Sequence, residues 1–270
     1  MNRGLLVGIN SYPGAPLRGC VNDVLDMAQF LTKACGFAMN DIRLLTDDRA
    51  TTTGILERIG WLLTGLKAGD RVIFHYSGHG AQMATRNPQG EVDGLDEVIC
   101  PVDFDWKDEH TIRDKQFAQI FSAVPRGVEF VWVSDSCHSG GLSREMLPGN
   151  SAPNLPKSMP QPVDLAWRVD TAKSTGIAPM GIQKAAAAAN VALISGCKSD
   201  QTSSDAVFND RPNGALTYFL LHELGTATGR KQPLTGVVKR VNAALGKAHF
   251  SQQPQLEGAT ALMRKTFLAD

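Results

Sequence analysis

Short apolar runs alternate along this chain with longer stretches in which apolar residues recur at three- and four-residue spacing. Leu5-Leu6-Val7-Gly8-Ile9 is brief, continuous and closed by Asn10-Ser11-Tyr12-Pro13-Gly14, the pattern of a buried strand. Val21, Val24, Leu25, Ala28 and Leu31 follow at helical spacing, with Gly36 as the stop. A second strand is predicted over Ile42 to Leu45. Thr51-Thr52-Thr53 then offers caps for a helix carrying Ile55, Leu56, Ile59, Leu62 and Leu63. Arg71 to Tyr76 and Val128 to Ser134 read as third and fourth strands, and Val191 to Ser195 as a further one. Helical runs around 215–224 and 234–245 close the pattern. Such alternation predicts a mostly parallel sheet covered by helices, whose functional loops lie at the carboxyl ends of the strands.

One stretch breaks the rhythm. Residues 142–190 hold six of the 14 prolines and little apolar periodicity, and end in the run Ala185 to Ala189. A loop of that length inside a compact domain is a functional lid or a linker. The chain is thus expected as a large piece (1–141), a proline-rich linker (142–190) and a small piece (191–270) too short to stand alone, the two sharing one sheet. Composition narrows the classes. With 27 basic against 27 acidic residues, a dominant basic face for nucleic acid is excluded. Five cysteines without a CxxC pair argue against a disulfide framework and a zinc ribbon. No run approaches the roughly 20 apolar residues needed to span a bilayer, and the amino-terminal apolar run is too short for a signal peptide. A soluble protein of the reducing cytoplasm is expected, with neither nucleic acid nor membrane as partner.

Two strand ends carry chemistry. The third runs into Tyr76-Ser77-Gly78-His79-Gly80, the fourth into Asp135-Ser136-Cys137-His138-Ser139-Gly140-Gly141. A histidine and a cysteine therefore leave the same edge of the sheet 58 positions apart, close to the spacing of about 50 in caspase-type peptidases. Cysteine needs little help to become a thiolate, and an imidazole polarises it or protonates the leaving amine. Flanking glycines let backbone N–H groups approach a developing oxyanion. Alone, Cys137 would read as a small buried hydrophobe; paired with His79 at a second strand end, it reads as a nucleophile. Asp135, two residues before it, and Asp23, early in the first helix, would form an anionic pocket for a guanidinium or ammonium if the fold brought them together. His75 and His79 lie four apart, but on strand and turn rather than helix, so a zinc pair is not expected. His138, Cys35, Cys100 and Cys197 read as structural or wall residues, while His110, His222 and His249 belong to no constellation.

The two strand-end motifs resemble the active-site motifs of metacaspases, the caspase-like cysteine peptidases of plants, fungi, protists and bacteria. Leu17-Arg18-Gly19-Cys20-Val21-Asn22-Asp23 resembles the family's stretch after the first strand, and Asp93-Gly94-Leu95-Asp96-Glu97 with Pro101-Val102-Asp103-Phe104 its central segment. Ser195-Gly196-Cys197-Lys198-Ser199-Asp200-Gln201-Thr202-Ser203 resembles its small-subunit signature, so that the likeness spans about residues 4–225 in family order. The resemblance implies an α/β caspase–hemoglobinase fold, a mostly parallel central sheet flanked by helices on both faces. It implies a Cys137–His79 dyad, an oxyanion hole from the N–H groups of Gly80 and Cys137, and cleavage after Arg or Lys in a pocket of Cys20, Asp23, Ser77 and Asp135. Partners are then proteins or peptides with Arg or Lys before the cleaved bond, on which the protein acts as a monomer.

Lys157, Arg168, Lys173 and Lys184 in the linker, just after Arg144, are read as exposed and open to self-cleavage, against the alternative of ordinary loop solvation. The resemblance also places two calcium ligands of the family on Asp96 and Asp114, but the remaining two on Lys115 and near Arg144. Calcium prefers six to eight oxygen ligands, so no cofactor is expected to be required and calcium is expected to be unnecessary or weakly held. Two alternatives stay open: a catalytically silent caspase-fold scaffold, and a partner-activated zymogen of a signalling or defence system.

Overall fold

The computed structural model describes residues 1–84, 95–138, 153–163, 190–198 and 201–268. Its centre is a six-stranded sheet in the order β12-β9-β7-β3-β1-β2, formed by β1 (Asn2–Gly8), β2 (Ile42–Thr46), β3 (Arg71–Ser77), β7 (Glu129–Asp135), β9 (Ala192–Ser195) and β12 (Gln255–Gly258). All neighbours are parallel except β12, which runs against β9. Two small antiparallel sheets flank its carboxyl edge. One is β4 (Gly80–Ala84), β5 (Leu95–Ile99) and β6 (Ile112–Arg113); the other is β8 (Leu155–Pro156), β10 (Ser204–Phe208) and β11 (Arg211–Gly214). Strands from both ends of the sequence thus lie in the central sheet.

Strand alternation splits the core into two layers. Leu5, Val7, Phe74 and Trp132 point to one face, with α2 (Thr52–Leu63) and α3 (Asp114–Ser122). Leu6, Ile73, Val131 and Val133 point to the other, with α1 (Cys20–Ala34), α4 (Ala215–Gly225) and α5 (Leu234–Lys247). The predicted strands and helices therefore occur within one to three residues of their expected ends. Thr51 caps α2 as its hydroxyl accepts from Gly54 N–H at 3.1 Å, satisfying a donor the helix itself leaves open. Among the described residues no helix is long and apolar enough to cross a membrane.

The first layer is held by aromatic rings. Phe117 of α3 lies 4.6 Å from Trp132 and 5.9 Å from Phe74, centroid to centroid, and all three are fully buried. Removing the Phe117 ring would leave a cavity that rigid strands cannot close. Phe117→Ala is expected to cost about 3–5 kcal/mol in denaturant unfolding; a loss below about 1 kcal/mol would show that α3 is not clamped by this cluster.

Candidate active site

Parallel pairing of β3 with β7 sets the site. Ser77 and Asp135 are register partners at the strand ends, and His79 and Cys137 each follow two residues later, so equal exits carry them to the same edge. His79 is held by Ala15, whose carbonyl accepts from Nε2 at 2.7 Å. That bond leaves the lone pair on Nδ1, which has no hydrogen-bond partner among the described residues. Burial pushes the imidazole down to about 4; the nearby backbone carbonyls of Ala15 and Lys157 act against this. The ring is therefore neutral at pH 7. The Cys137 thiol donates to the Gln201 carbonyl at 2.7 Å. Cys197, expected as a wall residue, lies beside it, its thiol donating to the same carbonyl at 3.3 Å.

Asp23 and Asp135 do meet, with a cation between them. Lys157 Nζ is 3.2 Å from Asp23 Oδ2 and 3.1 Å from Asp135 Oδ1, and donates to Ser77 Oγ at 2.8 Å. All four residues are completely buried. Burial alone would pull the ammonium's pKa down, but Asp135, Cys20, Asp23 and Asp205 outweigh it and hold it above its ordinary value. Burial pushes Asp23 up to about 7 against the pull of Lys157. Burial acts on Asp135 in the same sense, yet Lys157 and the hydrogen bonds from Thr217 and Ser203 keep it below the usual carboxylate range. The expectation that Lys157 is an exposed linker residue is thus corrected: its stem and ammonium fill the pocket, because a buried cation is tolerated where acids surround it.

The backbone of Lys157 is equally engaged. Gly80 N–H and Cys137 N–H both donate to its carbonyl oxygen at 3.1 Å, and its own N–H donates to Ser203 O at 2.9 Å. A side chain at position 80 would strike the Cys137 carbonyl, at 2.6 Å from an added Cβ, so only glycine admits this approach. The flanking segment is strand β8, antiparallel to β10 with Pro156 opposite Ser204 and Leu155 opposite Asp205. Arg144, Arg168, Lys173 and Lys184 lie outside the described residues, as do Ala185 to Ala189.

Several participants carry no signal in the sequence. Thr217 donates from its N–H and hydroxyl to Asp135 Oδ2, at 2.9 and 2.8 Å, and Ser203 Oγ donates to Oδ1 at 2.8 Å. Asn213 Nδ2 and Gly214 N–H, both at 2.9 Å, do the same for Asp23. An added Cβ on Gly214 would fall 2.1 Å from Lys157 Nζ, although the backbone there (φ −67°) suits any residue. Only Ser203 lay in a motif singled out from the sequence. Cys20 borders this charge cluster and is buried; burial pushes its thiol up, with Lys157 opposing. His138 donates from Nδ1 to Val98 O at 3.1 Å, a structural contact.

Asp96 is neutralised without a metal. Lys115 Nζ lies 2.9 Å from its Oδ1, and Arg113 pairs with Oδ2. Asp114 is buried, and no cluster of three or more metal-ligating side chains occurs among the described residues. Among the described residues the donors around Asp96 do not fit calcium, since Lys115 and Arg113 both pair with the carboxylate.

The chain matches the family model of the metacaspase, peptidase C14 domain over residues 2–144. It is 34% identical to Metacaspase-1 of Scheffersomyces stipitis, over 94% of this chain and 70% of that protein. It is 32% identical to Metacaspase-1A of Aspergillus niger, over 94% of this chain and 69% of that protein. The crystal structure of protein GSU0716 from Geobacter sulfurreducens superposes with a TM-score of 0.70 at 24% identity, covering 99% of this chain and 98% of that one.

His75, buried behind the pocket, donates from Nε2 to Thr217 Oγ1 at 3.2 Å, and burial pushes it down to about 3 from 6.5. Unfolded, it binds a proton below about pH 6.5; folded, it stays neutral, so stability falls as pH drops through that window. His75→Gln is expected to lose up to ~3 kcal/mol less than the unsubstituted chain between about pH 7 and pH 4, by urea unfolding at each pH. Equal acid losses in both proteins would refute a neutral buried His75.

Proposed function

Because the chain belongs to the metacaspase family of cysteine endopeptidases, we propose that it cleaves after Lys or Arg with Cys137 as nucleophile and His79 as acid and base, and that its first substrate is its own Lys157–Ser158 bond. The fold is the caspase–hemoglobinase fold, and the chain is a caspase-like peptidase. One observation carries the finer reading: Lys157 lies as a substrate residue would lie. Its ammonium is between two acids, and its carbonyl oxygen accepts from two backbone N–H groups at the strand ends that bear His79 and Cys137.

The chemistry follows from those contacts. Cys137 Sγ attacks the carbonyl carbon of Lys157, and the negative charge that develops on oxygen is met by the N–H groups of Gly80 and Cys137. His79, neutral and oriented by Ala15, takes the thiol proton and delivers it to the Ser158 nitrogen as the C–N bond breaks. A thioester joins Lys157 to Cys137. Water, losing its proton to His79, then attacks the thioester and releases the carboxylate, and the thiol is restored. Until that cut, the chain fills its own specificity pocket, which favours a zymogen-like resting state over a silent scaffold. Intact-mass analysis should show a cut between Lys157 and Ser158 in the unsubstituted protein and in Lys157→Arg. Cys137→Ala should remain whole. An intact unsubstituted chain that also fails to turn over Lys or Arg peptides would remove the proposal.

Once vacated, the pocket depends on ionised acids. With a cation in the pocket, as Lys157 is here, Asp23 loses its negative charge as pH falls below about 7, because burial favours its protonated form more than the ammonium opposes it. For Lys and Arg peptides, kcat/KM is expected to fall on the acid side of about 7, mostly through KM, while Asp23→Asn is lower throughout and lacks that limb. A pH-independent KM would contradict the role given to Asp23. His79 titrates lower.

No cofactor enters this mechanism. Lys115 and Arg113 supply at Asp96 the positive charge that a calcium ion would bring, so activity should be equal in chelator and in millimolar calcium. A strict calcium requirement would overturn this part of the reading.

A further inference from the structure

The residues after Lys157 are held as firmly as those before it. Met159 N–H donates to Gly80 O at 2.8 Å, and Ser158 is the parallel bridge partner of Gly80. Gly80 therefore grips the segment on both sides of one bond, its N–H on the Lys157 carbonyl and its C=O on the Met159 amide. This extends the chain as a parallel strand along β4, the edge strand of its sheet. On the other side of Lys157, β8 adds antiparallel to β10, which has β11 as its other neighbour. One extended peptide thus completes two sheets, and a sheet edge kept open for a peptide is a recognition device.

Side chains along the segment differ sharply. Met159 is 8% exposed and belongs to the apolar cluster that contains Ala81 and Met83 of β4 and Val98 of β5. Val163, equally apolar and four residues on, is 88% exposed. Gln161 is partly buried, its Nε2 donating to Gln82 O at 3.3 Å. Beyond the bond, burial covers Ser158 and Met159 and ends at Pro160, so that of the two apolar side chains Met159 and Val163 only Met159 is buried.

We propose that β4 and β5 form an apolar subsite for the substrate side chain two residues after the cleaved bond, occupied in this structure by Met159. The proposal rests on the reading of Lys157–Ser158 as a cleavable bond and specifies the substrate class: extended peptides with Lys or Arg before the bond and an unbranched or γ-branched apolar residue at the second position after it. Main-chain bonds to Gly80 fix the strand, and the side chain is selected by apolar burial.

Internally quenched octapeptides Asn-Leu-Pro-Lys-Ser-Xaa-Pro-Gln test it, with Xaa as Met, Leu, Gly or Asp, against the self-cleaved enzyme. The coumarin amide of Asn-Leu-Pro-Lys, which has no residue in the proposed subsite, serves as control. Burial of a methionine-sized side chain predicts kcat/KM roughly tenfold or more higher for Met and Leu than for Gly, with Asp lowest. In the full chain, Met159→Asp should slow cleavage after Lys157 by a similar factor, and Met159→Leu should restore it. Equal rates for all four octapeptides, with the coumarin amide also cleaved, would overturn the subsite and leave the Lys specificity standing. No cleavage of any peptide, the coumarin amide included, would remove both.

Discussion

The site is organised around one buried ammonium. Lys157 brings three N–H donors into a fully buried space, where Asp23, Ser77 and Asp135 each supply an acceptor. A buried cation without such partners would be prohibitively costly, and two buried acids without a cation would repel each other. Each acid is in turn held by donors from elsewhere: Asn213 and Gly214 on Asp23, Ser203 and Thr217 on Asp135. Elements α1, β3, β7, β11 and α4, with Ser203 just before β10, therefore have to be in place together for the pocket to exist. Gly214 leaves room for the cation where any side chain would fill it.

The same strand geometry that builds the pocket aims the chemistry. Because β3 and β7 are parallel and in register at Ser77 and Asp135, residues at equal offsets leave the sheet side by side. His79 is then oriented by the Ala15 carbonyl in place of a carboxylate. That choice fixes the tautomer without adding a negative charge, and burial keeps the ring neutral. Two N–H groups, of Gly80 and Cys137, aimed at one carbonyl oxygen are the arrangement on which the proposed acyl transfer rests.

Much of this was legible in the chain. Leu5 to Ile9, Arg71 to Tyr76 and Val128 to Ser134 announce buried parallel strands because both of their faces are apolar, and a strand covered on both sides has no polar alternation to blur it. His79 and Cys137 stand out because chemically capable residues follow two such strands directly. Asp23 and Asp135 could be named as a pocket only on the condition that they met. The burial of Lys157 is not legible, since prolines on either side and a lone lysine carry the signature of a solvated loop. Its strand pairing is made with residues near 204, a contact without any local trace.

The periodicity of the layers and the residue types at the strand ends are written in the chain, because both follow from local rules of burial and backbone geometry. Three-dimensional packing alone brings Asp23 and Asp135 face to face, sets Cys197 beside Cys137 and puts Lys157 in the space between the acids. Those facts depend on packing, charge pairing and desolvation between residues 22 to 134 positions apart, and a one-dimensional pattern records which groups are available, not which of them burial forces together.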